Sequence, residues 1–115
     1  MNININIKDK RAAVEGQPTI VCGNSDYTIT FTFDEEWNEH EEKVACFVYV
    51  QKGEVEYKDI PFTGVSVPVP VLSNVSEVSI GVYVKNLISS APASIPCKRS
   101  IRCRAGTPIE SEVNR

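Results

Sequence analysis

Hydrophobic and polar positions alternate along most of this chain, and the alternation starts at once. Ile3, Ile5 and Ile7 are separated by Asn4 and Asn6, which places the isoleucines on one face of a strand and the amides on the other. Asp9, Lys10 and Arg11 break the pattern, and residues 12–15 and 19–22 are short strand candidates around Gly16, Gln17 and Pro18. After a turn at 23–26, residues 27–33 form the clearest strand, with Tyr27, Ile29, Phe31 and Phe33 alternating with threonines. Residues 34–42 are polar and acidic around Trp37, so they read as a connection whose tryptophan folds back onto the core.

In 43–51, Val44, Cys46, Val48 and Val50 share one face and Ala45, Phe47 and Tyr49 the other, and both faces are apolar enough to be buried. Lys52 and Gly53 predict a hairpin turn into a strand at 54–60, which residues 61–64 interrupt. Val65, Val67, Val69 and Val71 alternate with Ser66, Pro68 and Pro70. Prolines remove ladder hydrogen bonds, so this strand is expected at an edge or leaving the sheet. A turn at Ser73 and Asn74 leads to a strand at 75–85 with Val78, Ile80, Val82 and Val84 on one face. Residues 86–93 read as a loop and 95–104 as the last strand. The pattern ends at 106–108, which sets a single β-sandwich domain at 1–108 and a polar tail at 109–115.

About seven or eight short strands, frequent turn signals and no amphipathic helix predict an all-β, immunoglobulin-like antiparallel sandwich. A small barrel is the alternative. At 115 residues, folding buries about two-thirds of the chain's unfolded surface in one core.

Charge narrows the function. Twelve basic and fifteen acidic residues give a net charge of -3, and only Lys98, Arg99, Arg102 and Arg104 cluster, so no basic nucleic-acid face is expected. No apolar run reaches the length of a membrane-spanning helix, and residues 1–7 lack the features of a secretory signal. A soluble protein made in the cytosol is therefore expected, with no membrane partner.

The order Cys22, Trp37, Cys97 echoes immunoglobulin domains, but Ile95 stands where a tyrosine corner would put Tyr. Reduced cysteines packed as small hydrophobes are expected instead, Cys46 and Cys103 included. Cys97 and Cys103 lack redox spacing. One histidine, His40, cannot complete a zinc site with these cysteines or found a catalytic triad. The acidic run Asp34, Glu35, Glu36, Glu39, Glu41 and Glu42 has no glycine for a calcium loop and reads as a solvated surface. The residues thus predict no cofactor, no metal and no enzyme. Two further readings remain to be weighed. One is a carbohydrate-binding module stacking sugars on Trp37, Tyr27, Tyr49, Tyr57 or Tyr83. The other is a small hydrolase built on Glu36, Glu39 and Glu41.

Three segments carry a resemblance: 26–37 (DYTITFTFDEEW), 65–72 (VSVPVPVL) and 78–84 (VSIGVYV), followed by 93–97 (ASIPC), Ser100, Ile101 and 106–108 (GTP). In this order they resemble small phage and prophage structural proteins of Gram-positive bacteria, in particular the N-terminal immunoglobulin-like domain of upper baseplate proteins. The resemblance implies a virion structural protein of the tail or baseplate, assembled in the bacterial cytoplasm. Its partners would be other virion proteins and further copies of itself. Such domains lead into a helical segment and a receptor-binding part, whereas this sequence ends soon after Pro108. A connector or decoration module is therefore expected. Val65, Val67, Pro68, Val69, Pro70 and Trp37 are its candidate partner-binding residues, with the asparagine-faced first strand as a second docking edge.

Overall fold

A computed structural model of the chain describes residues 1–98. Two sheets pack face to face, and the buried side chains of both form one core between them. The strands are β1 (Asn2–Lys8), β2 (Arg11–Val14), β3 (Ile20–Val21), β4 (Thr28–Phe33), β5 (Glu42–Gln51), β6 (Glu54–Thr63), β7 (Ser66–Pro68), β8 (Glu77–Val84), β9 (Ile88–Ser89) and β10 (Ala93–Lys98). One sheet has the order β2-β1-β4-β7. The other runs β3-β10-β8-β5-β6, with β9 paired to β8. Among the described residues no helix is long and apolar enough to cross a membrane.

The sandwich read from alternation is present, with ten strands because short pieces such as β3 and β9 pair over two residues each. Both sheets are mixed. The chain leaves β2, runs through β3 in the opposite sheet and returns as β4 beside β1, so β1 and β4 are parallel, with Ile3 opposite Ile29 and Ile5 opposite Phe31. Strand β10 also pairs with β3 in parallel. The remaining strand pairings are antiparallel, and an isolated parallel bridge joins Arg11 and Ala91.

Ile3, Ile5, Ile7, Ile29 and Phe31 from the first sheet meet Phe47, Val78, Ile80, Val82 and Ile95 from the second, and all are buried. Burying each such side chain contributes about 1.5–3 kcal/mol. Trp37 lies on a 3₁₀ turn (Glu35–Trp37) and is 2% exposed, so the acidic connection does fold its tryptophan inward. It packs on Phe33 at 5.2 Å between ring centroids, and Phe31 stacks on Phe62 at 5.7 Å.

Several strand boundaries differ from the sequence reading, most by one or two residues. Strand β6 continues through Pro61 to Thr63, whereas the 65–72 strand pairs only over Ser66–Pro68 before leaving the sheet. The loop at 86–93 contains β9, and its last residue, Ala93, opens β10. The last strand is described to Lys98. Its extension to 104, Cys103 and the tail at 109–115 lie outside the described residues.

Candidate interaction surfaces

The 65–72 segment occupies the predicted edge. Strand β7 is the last strand of its sheet, held by bonds from the Phe31 amide to the Val65 carbonyl (2.8 Å) and from the Val69 amide to the Tyr27 carbonyl (3.0 Å). The odd-numbered residues therefore bond to β4, and the backbone nitrogens of Ser66, Pro68 and Pro70 point to the open side. Two of these three are prolines, so the edge is poor in donors and resists strand addition.

Side chains divide the same way. Val67 and Val69 are buried in the core, whereas Val65, Ser66, Pro68 and Val71 are exposed and Pro70 is half-buried. Trp37 is equally inaccessible, and its indole nitrogen finds no hydrogen-bond partner among the described residues. The structure thus does not bring the six candidate residues together as one surface. The first strand is no edge either, since β1 lies between β2 and β4 with both backbone sides paired. Its asparagine face is open to solvent, but its ladder is spent.

The outer faces of the two sheets differ in chemistry. On the first sheet, Thr30 donates to Asn2 Oδ1 at 2.8 Å and lies 3.2 Å from Ser66 Oγ, Asn2 donates to Asn4 Oδ1 at 3.0 Å, and Asn6 donates to Glu15 at 2.9 Å. These side chains satisfy one another across three strands. On the second sheet, the even-numbered residues of β5 face outward: Val44, Cys46 and Val48 are half-buried and Val50 is 55% exposed. Val50 lies opposite Val55 and Val48 opposite Tyr57, which are 54% and 71% exposed. The sequence predicts both faces of 43–51 buried; only the Ala45 and Phe47 face is in the core, and among the described residues the other is a partly exposed apolar stripe.

Among the described residues, the strand edge left unpaired beside this stripe is that of β6, the outermost strand of its sheet and ten residues long. The sequence signal for this edge is the Lys52 and Gly53 turn followed by alternating charges in 54–58, which the strand pattern alone does not single out. The opposite sheet's β2 is better protected, because the Ala12 amide bonds the Ala91 carbonyl at 3.1 Å and the Ala91 amide bonds the Lys10 carbonyl at 2.7 Å.

Titratable groups are arranged for packing. Lys43 is 6% exposed, donates to the His40 and Glu41 carbonyls at 2.8 and 3.2 Å, and sits 4.9 Å above the Phe33 ring and 5.6 Å from Phe62. Burial pulls its ammonium below the ordinary lysine value despite Glu41 nearby. Cys22, Cys46 and Cys97 are free thiols. Burial, then Asp59, pushes Cys46 up to about 11, and burial, then Cys22 and Glu77, pushes Cys97 up to about 12. Both therefore stay protonated at neutral pH and are poor nucleophiles. In the acidic run, Lys10 pairs with Glu36 at 2.6 Å and Asp34 accepts from the Asp9 amide at 2.9 Å, which ties the connection to the β1–β2 turn. Among the described residues no cluster of three or more His, Cys, Asp or Glu side chains could hold a metal ion. Of the aromatic side chains weighed as sugar platforms, Trp37 and Tyr27 are buried, while Tyr57 stands on the surface.

No family model matches the chain, and no curated protein matches it.

Proposed function

We propose that this chain is a non-enzymatic structural module that works by binding neighbouring subunits, and that its setting is a phage tail or baseplate. The observation that carries the binding role is the uncovered apolar face of β5 and β6, continuous with a long strand edge. Apolar residues exposed on a sheet's solvent face gain only modest cross-strand contacts in a monomer, and a contiguous patch of them fits burial in an assembly. The polar ladder on the other sheet fits permanent contact with water. The virion setting draws its support from the ordered sequence resemblance in 26–37, 65–72 and 78–84.

Co-expression of the chain with the products of its adjacent genes tests the proposal. Co-purification with a tail or baseplate component is expected, and Val48→Asp or Val50→Asp on the apolar face should abolish it. A chain that binds none of these products, encoded among genes with no virion component, would overturn the reading.

A further inference from the structure

The β6 edge carries a pattern that matches itself. Lys52 and Gly53 both have positive φ, 54° and 79°, which makes the β5–β6 connection a two-residue primed turn. In such a turn the flanking residues, Gln51 and Glu54, form a hydrogen-bonded pair, and bonded pairs then alternate along the ladder. Residues 54, 56, 58 and 60 therefore spend their amides on β5, while 55, 57, 59 and 61 direct theirs to the open edge. Position 61 is proline, so the usable donors are Val55, Tyr57 and Asp59.

We infer that a second copy of this chain docks on this edge, with its own β6 antiparallel and a twofold axis through Tyr57. In that register Tyr57 bonds its copy, and Val55 bonds Asp59 on either side. Glu56 falls directly opposite Lys58 twice, once on each side of the axis. Pro61 lies just beyond the ladder, where its missing donor costs nothing.

The neighbouring registers fail on charge. Moving the axis to lie between Val55 and Tyr57 sets Glu56 against Glu56. Moving it to lie between Tyr57 and Asp59 sets Lys58 against Lys58 and brings Pro61 into the ladder opposite Val55. Charged residues on an edge ordinarily deter pairing, but here both signs are present and only one antiparallel register satisfies them. The two copies' exposed Tyr57 rings would then lie side by side at the axis, joining the apolar stripes of the two chains there. This pairing stands apart from the phage reading: a chain that dimerises but binds no virion component would uphold one and overturn the other.

Sedimentation velocity of the full chain over a concentration series is the test. A reversible dimer is expected. Tyr57→Pro removes the central edge donor while leaving the β5 ladder intact and should abolish the dimer, with unchanged far-UV circular dichroism as the folding control. Glu56→Lys should weaken the dimer about tenfold by setting like charges opposite each other on both sides of the axis. Combining it with Lys58→Glu restores the complementarity and should restore the dimer. A wild-type chain that stays monomeric at high micromolar concentration would overturn the inference and leave the edge to a different chain or to solvent. A dimer that survives Tyr57→Pro would do the same, and a double swap that restores nothing would overturn the register.

Discussion

The two outer faces of this sandwich are built from strands of similar alternation, yet one is finished and the other is not. On the first sheet, Asn2, Asn4, Thr30 and Ser66 form a chain of side-chain hydrogen bonds from β1 across β4 to β7. On the second, Val44, Cys46, Val48 and Val50 run along β5 with Val55 and Tyr57 beside them on β6. Both sheets turn apolar residues into the shared core, Ile3, Ile5, Ile29 and Phe31 from the first and Phe47, Val78, Ile80 and Ile95 from the second, so the core does not explain the difference. A polar outer face meets every requirement of a monomer, whereas an apolar one leaves surface whose burial would be favourable. The inner faces hold the residues that make the fold, and the outer face of β5 and β6 holds those that the proposed partner would cover.

The sharpest way to break the comparison is on β5 itself. Phe47→Ala removes a fully buried ring and should cost about 3–5 kcal/mol, whereas Val48→Ala, one residue along, should cost under about 1 kcal/mol in urea unfolding at low protein concentration. Equal losses would mean that the outer face is already covered in the isolated chain.

A smaller effect is expected on the polar face. Thr30→Val removes the hydroxyl that bonds Asn2 and contacts Ser66, and should lower stability by about 0.5–1.5 kcal/mol, read by the shift in urea midpoint. A neutral result would show that water replaces the ladder freely.

The least effect is confined to alkaline solution. The folded state holds the Cys46 proton more tightly than the unfolded chain, because burial and then Asp59 raise its value from 9.0 to about 11. Below pH 9 both states keep the proton and the group is silent. Between 9 and 11 the unfolded state alone releases it, so stability falls as pH rises. Cys46→Val should therefore flatten part of the decline in urea midpoint over that window. The buried Lys43 acts in the opposite direction: with its value depressed below 10.5, the unfolded chain binds the proton better just under that pH, and stability rises with pH there. A wild-type and variant profile that coincide would mean that Cys46 is solvated.

Much of this was legible in the sequence. The isoleucines of β1, the aromatic face of β4, the turn at Lys52 and Gly53 and the inward fold of Trp37 followed from local chemistry, since each depends on neighbours within a few residues. The prolines at 68 and 70 located an edge, and the structure agrees that β7 is one. The candidate surface read poorly for the same reason. Prolines mark where a ladder cannot continue, and the valines between them, Val67 and Val69, turn into the core to close the sandwich.

What the sequence determined by itself is the set of residues that share a face, because side chains on a strand alternate with period two whatever the strand packs against. It determined as well the positions where the backbone cannot donate. It did not determine which face of β5 turns inward, since both are apolar, or that β1 sits between two strands while β6 ends its sheet. Those choices belong to the tertiary structure, because each depends on pairings between segments distant in the chain, and only the assembled sheets show which apolar face found a partner.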